Sequence, residues 1–227
     1  MYDEEIIQNR EFRIENQGSE NSPSEVEGWK TYRNEDIGIS FKYPTEFGNP
    51  AIESTSKGES GPILEGKSIQ VHFPNSFYFV AATEDYQEWM GLNFTGKEPI
   101  EETCNNPLQY SDDGNVCKIE EINNNKFIIE NQYYAAECSP FGLRTSASVN
   151  NLSDSVYKGL LFSIELKDIS RKLNDLYSCF DDEQFKQFNA TAKRESQNVI
   201  NKTNLSSKDL GLLKDFYKIL GSLEFAR

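Results

Sequence analysis

Gly38-Ile39-Ser40-Phe41-Lys42-Tyr43-Pro44 is the stretch that decides the fold class. Ile39, Phe41 and Tyr43 alternate with Ser40 and Lys42, the period of two that puts apolar side chains on one face of a strand and polar ones on the other. Pro44 has no N–H to give to a ladder and ends the strand. Upstream, Trp29-Lys30-Thr31-Tyr32 and the turn-prone Asn34-Glu35-Asp36 complete a β-hairpin.

The same period recurs downstream. Ile69, Val71 and Phe73 alternate up to Pro74-Asn75-Ser76, and Phe77 to Ala82 returns as a second hairpin arm. Lys126–Ala136, Leu143–Val149 and Tyr157–Leu166 read as three further strands. Thr83 is a candidate N-cap for a short helix carrying Tyr86, Trp89 and Met90, closed by Gly91. Ile169, Leu173, Leu176 and Phe180 recur at helical spacing and predict a helix over 168–180. Leu210, Leu213, Tyr217 and Leu220 predict another over 207–220, with Leu223 to Phe225 as a short closing strand or tail. The segment 93–118 is turn-rich, and 181–204 is polar, either a surface helix or a long excursion. The expectation is an α+β chain: a tail or linker over 1–27, then one domain over 28–227 with a polar insertion near 181–204. Within the tail, Ile6, Ile7, Phe12 and Ile14 form one apolar patch that docks as a helix or an extra strand.

Composition narrows the function classes. Thirty-seven acids against 23 bases leave a net charge of −14, a field that repels nucleic acid and anionic lipid. The one dense base cluster is Lys193-Arg194, flanked by Glu195, with Arg171-Lys172 upstream. No window approaches the roughly 18 apolar residues of a membrane span. Met1-Tyr2-Asp3-Glu4-Glu5 lacks the features of a signal peptide. A lipid anchor upstream of this sequence stays open.

Cys104, Cys117, Cys138 and Cys179 contain no Cys-x-x-Cys pair, which argues against zinc ribbons and thioredoxin-type redox chemistry. The expectation is two disulfides. Ser111-Asp112-Asp113-Gly114-Asn115 reads as a turn that would bring Cys104 to Cys117, leaving Cys138 for Cys179. Four reduced, buried thiols are the competing reading.

Candidate chemistry is sparse. His72, the single histidine, sits mid-strand; a Ser-His-Asp arrangement could be built around it, but no Gly-x-Ser-x-Gly elbow marks a nucleophile, and a polar-face strand position explains it. Asp112, Asp113 and Asn115 offer calcium ligands without the spacing of a calcium loop, and a hairpin turn explains them more simply. No phosphate-binding glycine loop is present, and no catalytic residue or cofactor is assigned. Asn93, Asn151, Asn189, Asn201 and Asn204 open glycosylation-type triplets and read as surface loops.

Two stretches carry a resemblance. Trp29-Lys30-x-Tyr32-x-Asn34 with Gly38-Ile39-Ser40-Phe41-Lys42-Tyr43-Pro44, and the closing Ile219-Leu220-Gly221-Ser222-Leu223-Glu224-Phe225, are similar to the start and end of small bacterial exported proteins and lipoproteins with a PsbP-like fold. Tyr86-Gln87-Glu88-Trp89-Met90 falls where they carry a short helix. The chain departs from that pattern at Phe47, Gly221, Leu223 and the 181–204 insertion. The resemblance implies an antiparallel sheet covered by helices in an α/β/α sandwich, and an extracytoplasmic location. The leading expectation is a non-enzymatic binding domain that takes a partner protein, envelope component or small ligand on one face of its sheet. The alternatives are a hydrolase using paired carboxylates and a structural or assembly protein of the cell envelope.

Overall fold

The computed structural model describes residues 28–55, 68–74, 77–83, 116–136, 139–150, 157, 159–177 and 182–225. Its first elements are β1 (Trp29–Asn34) and β2 (Ile39–Pro44), antiparallel with Tyr32 opposite Phe41. Asn34 builds the turn between them: its side-chain oxygen accepts from Ile37 N–H at 3.0 Å and its carbonyl accepts from Gly38 N–H at 2.9 Å. Gly38 takes φ +78°, which a side chain would resist.

The last strand, β10 (Glu224–Phe225), pairs with the free edge of β2. Ser222 fixes that return, accepting from Lys42 N–H and donating to the Ile219 carbonyl, both at 2.8 Å. The result is a three-stranded sheet in the order β1-β2-β10.

The larger sheet has seven strands: β3 (Ala51–Thr55), β4 (Ser68–Phe73), β5 (Phe77–Ala82), β6 (Val116–Ile122), β7 (Asn125–Ala136), β8 (Ser139–Asn150) and β9 (Gly159–Glu165). Every neighbouring pair is antiparallel, in the order β3-β4-β5-β9-β8-β7-β6. Register places Val71, Phe79, Phe162, Ala147 and Ile129 in one row across it, all buried. The opposite face carries Val80, Leu161, Ser148 and Ile128, also buried.

The small sheet lies on the first of these faces. Phe41 stacks on Tyr32 at 5.1 Å between centroids and meets Phe79 and Phe162 edge-on at 5.4 and 5.5 Å. Three helices share that core: α1 (Lys167–Asn174), α2 (Asp182–Asn201) and α3 (Ser207–Gly221), which contribute Leu173, Phe188 and Phe216 among others.

Close approach of α1 to β8 requires Gly142. It has φ +120°, and a Cβ there would fall 2.5 Å from Ser170 Oγ, which accepts from Leu143 N–H. The starts of α1 and α3 cap each other. Asp209 accepts from the backbone N–H groups of Asp168 and Ile169, while Ser206 caps Asp209 N–H and donates to the Asp168 carboxylate at 2.8 Å.

The α+β class, both expected hairpins and the three later strands match the structure, as does the closing strand. Three readings need correction. The helix expected over 168–180 stops at Asn174; Asp175 and Leu176 bond back to Arg171 and Leu173, a turn that leaves Leu176 exposed. Residues 116–118, read as turn-rich, begin β6, and β3 was not anticipated. Asn189 and Asn201 belong to α2, not to loops. The expected 1–27 tail, the helix after Thr83, Phe180, Asn93 and Asn151 lie outside the described residues.

Phe41 touches both sheets, so Phe41→Ala should cost about 3–5 kcal/mol in urea denaturation, the range for a buried phenylalanine. A loss below about 1 kcal/mol would show that the sheets associate without it.

Candidate interaction surface

The polar candidates read from the sequence are scattered. His72 is on β4, exposed, with its ring stacked on Tyr78 at 5.8 Å; Arg144 lies over the same tyrosine at 5.6 Å. Tyr78 leads inward to the buried Ser163 and Ser146, whose hydroxyls are 3.1 Å apart, so this side of the sheet is open at the rim and buried at the centre. Asp112, Asp113, Asn115, Cys104, Cys138 and Cys179 lie outside the described residues. Cys117, on β6, is held in a disulfide, and no described cysteine is free. Neither expected pairing is therefore described. Among the described residues there is no metal-binding group of three or more His, Cys, Asp or Glu, and no helix long and apolar enough to cross a membrane.

The carboxylates with shifted acidity are engaged in structure. Burial pushes the Asp209 carboxyl up, against the two backbone N–H groups that it caps. Burial also acts on Glu120, but Lys118 at 2.5 Å and the Tyr217 hydroxyl at 2.9 Å draw it below the usual range. Lys202 completes that node, its ammonium 3.6 Å from the centre of the Tyr217 ring.

A different arrangement joins groups far apart in sequence. Glu195, almost fully buried, receives Lys172 Nζ at 2.6 Å and Arg194 Nη2 at 3.6 Å on one oxygen, and Asn198 on the other at 3.2 Å. Burial would raise this carboxyl, but the Lys172 and Asn198 hydrogen bonds and the charges of Lys172 and Arg194 bring it below its ordinary value. One base of each pair seen in the sequence, Lys172 and Arg194, thus meets the other across one buried acid, while Arg171 Nη2 pairs with Asp168 at 2.7 Å and Lys193 stays exposed on α2.

Why α2 turns this side outward is legible in its spacing. Phe188, Ala192, Ser196 and Val199 are buried on its inner stripe, with Asn131 Nδ2 donating to the Ser196 carbonyl at 3.2 Å. Lys186, Lys193 and Arg194 are left on the outside. At the near end, Leu176 and Phe185 are exposed at 47% and 42%, unusual for large apolar side chains. Phe185 is the outer member of an aromatic group with Tyr177, Phe188 and Tyr133, whose hydroxyl burial pushes up to about 12. Asp168, Arg171, Lys172, Asp175 and Leu176 line an open hollow of about 530 Å³ on α1.

Together α1 and α2 carry six bases, Lys167, Arg171, Lys172, Lys186, Lys193 and Arg194, against four acids, Asp168, Asp182, Glu183 and Glu195. That is a local charge of +2 on a chain of net −14. Such a ridge can hold an acidic group by charge and an apolar side chain by contact.

Because its pKa is depressed, the Glu195 charge stabilises the fold above the unfolded carboxylate pKa, and this contribution is lost as pH falls through the folded value. In urea denaturation the advantage of the wild type over Glu195→Gln should be greatest near pH ~7 and shrink toward pH ~3. A difference constant across that range would show that the ionised carboxylate is not what gathers the bases. Comparison with models of known protein families, with curated proteins and with solved structures finds no match.

Proposed function

We propose that the protein is a non-enzymatic binding domain that works outside the cytoplasm, and that its contact surface is the ridge made by α1 and α2. The observation that carries this reading is the meeting of Lys172 and Arg194 around buried Glu195, with exposed Leu176 lining the same hollow as Lys172 and exposed Phe185 nearer the start of α2. The sheet is a poorer surface, since central positions on both of its faces are buried. The partner is an acidic protein segment bearing apolar side chains. A purely ionic polymer would leave Leu176 and Phe185 in water, whereas such a segment covers them.

Two further observations support the rest of the reading. A disulfide at Cys117 fits an oxidising compartment. An antiparallel sheet entered by a hairpin and closed by a strand on that hairpin fits the PsbP-like resemblance.

A random copolymer of glutamate and tyrosine, labelled for fluorescence anisotropy, serves as the probe, with polyglutamate alongside. The copolymer should bind more tightly than polyglutamate, and Arg171→Glu with Lys193→Glu should weaken it by about tenfold or more at low salt. Equal binding by wild type and variant would overturn the assignment of the ridge. For location, intact mass after thiol alkylation should show no addition before reduction and four after it, one for each of the 4 cysteines. Four additions without reduction would remove the support for an oxidising compartment.

A further inference from the structure

The ridge needs an occupant that is acidic and apolar at once, and the chain contains one. Residues 1–27 hold eight acids, Asp3, Glu4, Glu5, Glu11, Glu15, Glu20, Glu25 and Glu27, against Arg10 and Arg13, a net charge of −6. Ile6, Ile7, Phe12 and Ile14 lie among the first of these acids, so charge and apolar contact fall within the same 15 residues. The stretch from Asn16 to Glu27 has no large apolar residue except Val26.

Reach is sufficient. Those 12 residues can span roughly 40 Å when extended. Gly28 precedes Trp29, whose ring lies 5.5 Å from Lys218 Nζ on α3, and Asp209 of α3 bonds the start of α1 roughly 14 Å along that helix, so a span of this length reaches α1. A tether of this length also holds its end at an effective concentration on the order of millimolar, enough to fill a contact too weak to persist between separate molecules.

We propose that residues 1–15 are the built-in occupant of the α1–α2 ridge, with Ile6, Ile7 and Phe12 over Leu176 and Phe185 and the surrounding glutamates against Arg171, Lys172, Lys193 and Arg194. The inference rests on the ridge being a binding surface, and it makes the segment a competitor that an external acidic partner must displace. Lys193 suits the role: it is exposed and has no ion pair among the described residues. Lys172 and Arg194 are exposed over more than half of their side-chain surface even while touching Glu195.

The test uses the full chain with a benzophenone amino acid in place of Phe12. Irradiation at high dilution should give intramolecular cross-links that map to 171–194, and Arg171→Glu with Lys193→Glu should reduce them several-fold. Changing Glu4, Glu5, Glu11 and Glu15 to Gln in a separate full-length variant should tighten binding of the glutamate–tyrosine copolymer several-fold. Cross-links mapping elsewhere, or forming only between molecules in proportion to concentration, would overturn the proposal. So would copolymer binding indifferent to the four glutamines. If the copolymer depends on the ridge while the cross-links do not map to it, only the present inference fails. If the copolymer ignores Arg171 and Lys193, the ridge itself is wrongly assigned.

Discussion

The contacts of Phe41, Tyr32 and Tyr43 with the rings of Phe79, Phe162 and Phe73 join what would otherwise be two separate sheets. A ribbon whose third strand is only 2 residues long leaves its apolar face to be covered, and a seven-stranded sheet with Val71, Phe79, Phe162, Ala147 and Ile129 in one row cannot leave that row in water. Each satisfies the other over part of the face, and the helices cover the remainder, with Leu173 and Phe188 entering the same core. The placing of α1 and α2, and so of the basic ridge, follows from this division of one apolar face.

Glu195 is the counterpart in the polar half of the molecule. A carboxylate this buried would be costly alone, and Lys172, Arg194 and Asn198 make it tolerable. The bases, in return, are held close together in spite of their mutual repulsion. The arrangement is structural in origin, yet its outer side presents cations and two uncovered apolar residues to solvent. The same economy appears beyond the end of α2, where Tyr217, Lys118 and Lys202 close around Glu120.

Strands with one apolar face were legible because their alternation is regular: Ile39, Phe41 and Tyr43 point into the core as the period of two requires. β6 was not, since its inward positions include Lys118 and Glu120, which face helices as an ion pair and interrupt the apolar pattern. The helix α2 was readable only as one of two alternatives for a similar reason: its buried stripe runs through Ala192, Glu195 and Ser196. The ridge itself was half visible. Lys193-Arg194 stood out in the sequence with Arg171-Lys172 upstream, but Lys172 meets Glu195 across 23 residues, a contact that local pattern does not encode. Leu176 looked like a core residue by spacing and is exposed because α1 ends two residues before it.

The pairing of β10 with β2 sets an order on the life of the chain. Ser40 faces Glu224, a partner 184 residues further along, and Ser222 supplies the bond that Lys42 N–H requires. During synthesis the β1–β2 hairpin is therefore complete in sequence long before its third strand exists, and that edge of β2 waits until Glu224 and Phe225 emerge. An early hairpin is thus sealed by a late strand, and loss of Glu224 and Phe225 would open the edge of β2.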